Sequence, residues 1–205
     1  PLDTALKDKD GNTVSKKTFE YDARGNLTQD TIFITNPLTG ELSNPITQYS
    51  YDSFGNLTST TNALGSTVIT EYETDFYAYP IKVTNSLGHS ISYVYDYKFG
   101  VVTSVTDTNN QTTTTTYDSL ARVIQAKNAL NQVVATYSYP DFNTKVSTNA
   151  LNFSATEYID GLGRKYKTVS IGEDGGSPRN VSSEVYFNNR GLTERESLSH
   201  YIDED

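Results

Sequence analysis

The sequence predicts an all-β chain: an antiparallel meander of β-hairpins forming a long, twisted or curled sheet. Three observations predict it: a strand-prone composition, a recurring Tyr-Asp octet, and period-2 alternation between the turns. The 205 residues include 16 Tyr and 8 Phe among many Thr, Val and Ser, the types that fit a pleated, half-buried surface. A helical protein of this size would be richer in Ala, Leu, Glu and Lys. The hydrophobic fraction is only 35%, but disordered chains are poor in aromatic and β-branched residues, and this chain is rich in both. A core would have to come from Tyr, Phe, Val, Ile and Leu, with partners for the tyrosine hydroxyls.

The clearest repeat is Tyr51-Asp52-Ser53-Phe54-Gly55-Asn56-Leu57-Thr58, and Tyr21-Asp22-Ala23-Arg24-Gly25-Asn26-Leu27-Thr28 is nearly the same. Looser copies begin at Tyr95, Tyr117, Tyr139, Tyr158 and Tyr186, with Tyr72-Glu73 filling a gap. Successive tyrosines lie about 19 to 30 residues apart, within the range that marks repeat architectures. A second element interleaves with the first: Asn62-Ala63-Leu64-Gly65, Asn85-Ser86-Leu87-Gly88 and Asn128-Ala129-Leu130-Asn131. Asp or Asn followed three residues later by Gly marks a type I turn, the side-chain oxygen capping backbone N–H groups two residues on. Each repeat is therefore two strands and two turns.

The intervening segments alternate. Ile91, Tyr93 and Tyr95 share one face of residues 90–95, and Val133, Ala135, Tyr137 and Tyr139 form a similar stripe; both are expected to be buried. Ile81 to Thr84 and the threonines from Thr112 to Thr116 fit the same template. One two-stranded repeat is not stable alone, so neighbours must pair edge to edge. The expected organisation is a lead-in strand and turn over residues 1–18, an array of about eight degenerate repeats over 19–192, and a polar tail over 193–205. Irregularities fall at 29–48, an inserted hairpin with Asn36-Pro37-Leu38-Thr39-Gly40, and at Asp75 to Pro80 in place of a regular turn. Gly172 to Pro178 reads as a flexible polar loop, and Asp203-Glu204-Asp205 as a fraying end. Pro80 and Pro140 cannot donate ladder hydrogen bonds and belong at strand starts or edges.

Composition also excludes functions. A net charge of −9 without a basic cluster opposes nucleic acid and anionic membrane, because such binding rests on Lys and Arg. Without cysteine there is neither disulfide nor thiolate chemistry. No apolar run approaches the roughly 18–20 residues of a membrane-spanning helix, and no signal peptide is evident. The chain begins Pro1-Leu2-Asp3 without an initiator methionine, so an excerpt of a longer protein is expected.

No catalytic, cofactor-binding or metal site is expected. His89 and His200 lie outside any nucleophile–base–orienter spacing. Paired carboxylates suffice for a glycosidase, yet Asp22, Asp52, Asp96, Asp118 and Asp160 recur with the repeat and are accounted for by turns. Asp8-Lys9-Asp10-Gly11-Asn12 lacks the Gly and Glu positions of a calcium loop. Asn26, Asn56, Asn110, Asn152 and Asn180 match the glycosylation acceptor pattern, two of them inside the octet.

The octets, with Tyr117-Asp118-Ser119-Leu120-Ala121-Arg122 and Asp160-Gly161-Leu162-Gly163-Arg164, resemble the YD repeats of Rhs-type proteins. These include bacterial wall-associated proteins, contact-dependent toxins, the B and C components of insecticidal toxin complexes, and the animal teneurins. Residues 157–164 followed by 186–192 look most like the toxin-complex B component. The resemblance implies a sheet that is part of a larger, hollow shell around toxin or other cargo, and a secreted or cell-surface bacterial location. The expected partners are flanking YD repeats of the parent chain and an encapsulated toxin domain. The function expected is a non-catalytic structural segment of such a shell. The rival is a carbohydrate-binding, adhesive module of a cell-wall-associated protein, in which tyrosine rings stack on sugars.

Overall fold

The computed structural model describes residues 3–7, 13–35, 42–174 and 177–202. The Asp8–Asn12 motif, the Asn36–Gly40 turn and the Asp203–Asp205 end lie outside the described residues. Two compact units divide the chain, Pro1–Gln111 and Thr112–Asp205. Both are antiparallel hairpin meanders, as the alternation and turn spacing predict.

In the first unit the strands are β1 (Asp3–Lys7), β2 (Thr13–Tyr21), β3 (Leu27–Thr35), β4 (Leu42–Ser43), β5 (Ile46–Tyr51), β6 (Leu57–Thr61), β7 (Thr67–Tyr72), β8 (Pro80–Thr84), β9 (Ser90–Asp96) and β10 (Val101–Thr106). Each pairs antiparallel with the next, except that β3 receives both β4 and β5. The inserted hairpin expected over 29–48 is this arrangement: β3 and β4 pair beyond the point where β5 takes over, and the Ile32 N–H donates to the Pro45 carbonyl at 3.0 Å.

The second unit holds β11 (Thr112–Tyr117), β12 (Val123–Lys127), β13 (Val133–Asp141), β14 (Thr144–Asn149), β15 (Ser154–Ile159), β16 (Lys165–Asp174), β17 (Ser177–Phe187), β18 (Thr193–Glu196) and β19 (His200–Tyr201). Of the segment read as a flexible loop, Gly172–Asp174 and Ser177–Pro178 are instead strand, with β16 and β17 paired out to Asp174 opposite Ser177, while residues 175 and 176 lie outside the described residues. An unbroken ladder satisfies the backbone there, which sequence polarity does not reveal. Within the polar tail, β18 and β19 both pair with β17, and the Ser197 N–H donates to the Glu184 carbonyl at 2.8 Å between them.

The turns have the predicted chemistry. At the first octet the Gly25 N–H donates to the Asp22 carbonyl at 3.1 Å and the Asp22 N–H to the Asn26 carbonyl at 2.9 Å. Asp22 Oδ1 accepts the Arg24 and Asn26 N–H groups, both at 2.9 Å. This is a three-residue hairpin loop, a type I turn followed by a left-handed residue. The Tyr-Asp ends add a β-bulge: Tyr21 opposes Leu27, Tyr51 opposes Leu57 and Tyr117 opposes Val123, with the register shifting just before each tyrosine. Bulges of this kind strengthen local twist. The turns at Asn62, Asn85 and Asn149 close without a shift. Pro80 opens β8, and Pro140 sits at the register shift of β13.

Burial corrects one expectation. Among the described residues no apolar side chain is buried; the buried ones are Asp30, Thr31, Glu73 and Ser182. Alternation persists, since β5 reads exposed and half-buried in turn, with Tyr49 and Tyr51 on the half-buried face. Tyr93 and Tyr95 are half-buried, while Ile91 is exposed. In β13, Ala135, Tyr137 and Tyr139 are half-buried and Val133 exposed. Within each unit the tyrosines lie on a sheet face that no second described layer covers.

Candidate functional site

Because a meander alternates direction, its turns fall on two rims. Each unit has its own two rims, and one of them, called the first in either unit, carries the Tyr-Asp turns: those at Asp22, Asp52, Glu73 and Asp96 in the first unit, and those at Asp118, Asp141, Asp160 and Asn188 in the second. The other rim of each unit, called the second, carries the turns at Asn62, Asn85 and Asp107 in the first unit and those at Asn128 and Asn149 in the second.

On the first rim the residue four positions after the aspartate completes the turn. Asn26 and Asn56 donate Nδ2 to Oδ2 of Asp22 and Asp52, both at 2.9 Å. Arg122 and Arg164 do the same work with charge, each placing Nε at 2.8 Å and Nη2 at 2.7 Å from Oδ2 of Asp118 and Asp160. These bonds favour the ionised carboxylate. The Asn26 side chain holds Asp22 below its ordinary pKa, the Arg122 backbone N–H and side chain do so for Asp118, and the Arg164 side chain does so for Asp160. At Asp52, desolvation opposes the shift, and the bonds from Asn56, Phe54 and Gly55 together outweigh it.

Glu73 stands where an aspartate is expected, and its longer side chain closes a longer loop. Its carboxylate accepts the N–H groups of Asp75, Phe76, Ala78 and Tyr79 at 2.7 to 3.4 Å. Desolvation would raise its pKa, but the four donors together lower it. Tyr77 adopts a left-handed φ of +54° in this loop, its carbonyl accepts Asn56 Nδ2, and its ring stacks on Phe54 at 4.1 Å.

Neighbouring turns on this rim are joined. Arg24 donates to the Ser53 carbonyl; Phe76, Tyr79, Tyr95 and Tyr97 form a ring cluster with centroids 5.0 to 6.4 Å apart. In the second unit Arg122 lies over Tyr139 and Arg164 over Phe187, each at 4.1 Å. The repeat tyrosines tie strands too. Tyr72 donates to the Leu57 carbonyl at 3.2 Å, Tyr95 to Pro80 at 2.9 Å and Tyr139 to Val123 at 3.0 Å. Each acceptor is the residue opposite the previous repeat tyrosine, next to the bulge.

Ion pairs cross the strands elsewhere. Buried Asp30 receives Tyr49 Oη at 2.7 Å and Lys17 Nζ at 3.2 Å, and the Tyr49 phenol is pushed up to about 12 by that bond and by desolvation. Glu157 lies between Lys145 and Lys165 at 3.3 and 3.2 Å, and Glu184 between Lys167 at 2.8 Å and Tyr186 at 2.6 Å.

The weighed catalytic candidates do not converge. Asp22, Asp52, Asp96, Asp118 and Asp160 each cap their own turn. His89 serves the Asn85 turn through its backbone N–H, which donates to Asn85 Oδ1 at 3.0 Å, and His200 Nδ1 lies 3.1 Å from the Leu198 carbonyl. Among the described residues no group of three or more His, Asp or Glu is placed to hold a metal ion, and no helix is long and apolar enough to cross a membrane. Sequence reasoning missed the partner atoms of the tyrosines, although the Asn or Arg four residues after Asp was visible as a regularity.

Asp-capped bulged hairpins locked by Asn or Arg, with tyrosines tied back to the preceding repeat, define a repetitive antiparallel sheet. Residues 34–67 match the RHS Repeat family model. No curated protein matches the chain. Among solved structures the fold is similar to TcdB2-TccC3-Cdc42, with a TM-score of 0.67 and 14% identity over 98% of this chain and 13% of that one. It is likewise similar to TcdB2-TccC3, with a TM-score of 0.65 and 14% identity over 98% and 13%. The Photorhabdus luminescens Tc holotoxin pore gives a TM-score of 0.51 at 12% identity over 95% and 13%. The chain thus spans 13% of the length of these structures. They share its fold, an antiparallel β-sheet meander.

Proposed function

We propose that this chain is a non-catalytic wall segment of a large secreted YD-repeat protein, whose sheet encloses a toxin or other cargo. The observation that carries the reading is an antiparallel meander with no buried apolar residue among those described, held along one rim by turn-to-turn bonds. Such a sheet supplies surface and not a pocket, and its strength accumulates by repetition. The likeness in fold to the TcdB2-TccC3 chains supports it. Nothing in the geometry favours the carbohydrate-binding rival: the repeat tyrosines Tyr72, Tyr95 and Tyr139 are half-buried and bonded to neighbouring strands. The partners of the segment are the flanking repeats and the enclosed polypeptide.

The test uses the full-length parent. Limited proteolysis should leave the enclosed polypeptide intact in the native protein and degrade it after residues 46–117 are deleted. Equal sensitivity of that polypeptide in the native protein and the deletion variant would refute enclosure.

A further inference from the structure

Three successive turns on the first rim of the first unit gather exposed rings: Phe54 in the Asp52 turn, Phe76 and Tyr77 in the Glu73 loop, and Tyr97 in the Asp96 turn. They are 61%, 60%, 39% and 39% exposed. Exposed rings within the other turns are single, as at Phe142 and Phe153. Local structure holds the cluster in place. The four N–H groups accepted by the Glu73 carboxylate fix the backbone on either side of Phe76 and Tyr77. Phe54 stacks on Tyr77 with planes 16° apart, and Phe76 leans on Tyr97 at 5.4 Å. Phe54 and Phe76 each keep an open side towards solvent.

In the second unit the chain covers such rings with its own arginines. Arg122 and Arg164, four residues after Asp118 and Asp160, reach the next turn of the rim and lie over Tyr139 and Phe187, each at 4.1 Å. Arg179 and Arg195 lie at the same distance over Tyr201 and Tyr186. In the Asp52 turn that fourth position holds Asn56, which reaches the next turn only through its bond to the Tyr77 carbonyl. Among the described residues no Lys or Arg lies over Phe54, Phe76, Tyr77 or Tyr97. The same three turns carry Asp52, Glu73, Asp75 and Asp96 against one cation, Lys98, which lies over Phe99. Arg24 on the preceding turn is offset by Asp22. Asp75 is exposed, and its N–H serves Glu73 while no described side chain pairs with its carboxylate.

We propose that this ring cluster is an interaction surface for a basic polypeptide, whose arginine side chains lie on the open sides of Phe54 and Phe76 and pair with Asp75. A ring face attracts a cation, and four carboxylates within three turns favour one over a neutral or acidic partner. Guanidinium is planar and weakly hydrated, so it stacks where an ammonium group keeps its water. Its fork also matches the Asp75 carboxylate. The partner's arginine thus takes the place that Arg122 and Arg164 fill within the second unit.

The probe is hexa-arginine with blocked ends, titrated at low salt into the full chain, with hexalysine as the equal-charge control and chitohexaose as a neutral ring-stacking one. Hexa-arginine is expected to bind about tenfold more tightly than hexalysine, a ratio corresponding to about 1.4 kcal/mol. Phe54→Leu/Phe76→Leu, with its strand signal retained in circular dichroism, should weaken hexa-arginine about tenfold, each ring counting for about threefold, and leave hexalysine unchanged. Asp75→Asn, outside the ring packing, should weaken hexa-arginine about threefold. Equal affinity for the two peptides overturns the proposal, because the net charge of −9 then suffices to draw either one. Hexa-arginine binding unchanged in Asp75→Asn or in the double variant overturns it too, as does binding of chitohexaose that the double variant loses while hexa-arginine binding persists.

Discussion

The Tyr95 hydroxyl donates to the Pro80 carbonyl at 2.9 Å, reaching across the strand ladder to the residue that opposes the previous repeat tyrosine. Tyr72 and Tyr139 repeat the bond to Leu57 and Val123. The phenol is therefore a tie between repeats, with the ring half-buried beneath it. Removing the hydroxyl alone should be measurable. Tyr95→Phe is expected to cost about 1 kcal/mol, the usual net worth of one intramolecular hydrogen bond. Urea denaturation checks this, and a midpoint equal to wild type would show that the bond contributes nothing.

Position four of the first-rim turns requires a left-handed residue. Gly55 meets that need at φ +92°, whereas Ala121 adopts φ +61° with a Cβ. Left-handed backbone costs an L-residue about 1–2 kcal/mol. Ala121→Gly should therefore raise stability by roughly 1 kcal/mol, the relief of strain exceeding the added chain entropy. Gly55→Val should lower it by at least about 1 kcal/mol, although the nearest atom to the added Cβ is Asn26 Oδ1 at 3.9 Å. Opposite signs in thermal melts of the two variants are the expected outcome.

The turn carboxylates make stability pH-dependent. Asp22, Asp118, Asp160 and Glu73 all have folded pKa values below their ordinary ones. Their contribution is thus fully present above the ordinary carboxylate range near 4 and is lost as pH falls through the lower folded values. Asp160→Asn separates titration from geometry. Asparagine keeps the two turn bonds, as Asn62 does with the Leu64 and Ser66 N–H groups at 3.0 Å, but cannot ionise against Arg164. The variant should start less stable at pH 7 and lose less than wild type on acidification to pH 2 in denaturant melts. An identical acid profile would remove Asp160 from the account.

Tyr49 gives the converse at alkaline pH. With its phenol at about 12 through the bond to Asp30, folding favours its protonated form. That stability is present below the ordinary tyrosine value near 10 and is lost as pH rises through about 12. Tyr72, Tyr95 and Tyr186 are also raised, so phenolate absorbance near 295 nm should show a late-ionising component that shrinks by one tyrosine in Tyr49→Phe. Complete ionisation of the folded wild type by pH 11 would contradict the Asp30 bond.

Much of the architecture could be read without coordinates. Asp22, Asp52, Asp118 and Asp160 announced their turns because an Asx cap is local: donor and acceptor lie within four residues. The strands between them followed from alternation. The turn after Tyr72 was seen only as an irregularity, since Glu73 reaches four N–H groups through a side-chain length that no period encodes. The Gly172–Pro178 segment was misjudged because polar composition cannot distinguish a loop from a two-sided polar hairpin.

By itself, then, the sequence determined the hairpin unit, its spacing and the residue that begins each turn, all of which depend on contacts a few residues apart. Tertiary structure decided what the tyrosines hold, which turns bond to one another, and that the predicted core is a half-covered face. Those outcomes depend on register between strands. A strand's own residues state which side chains share a face, but not which carbonyl two strands away will lie within reach of a hydroxyl.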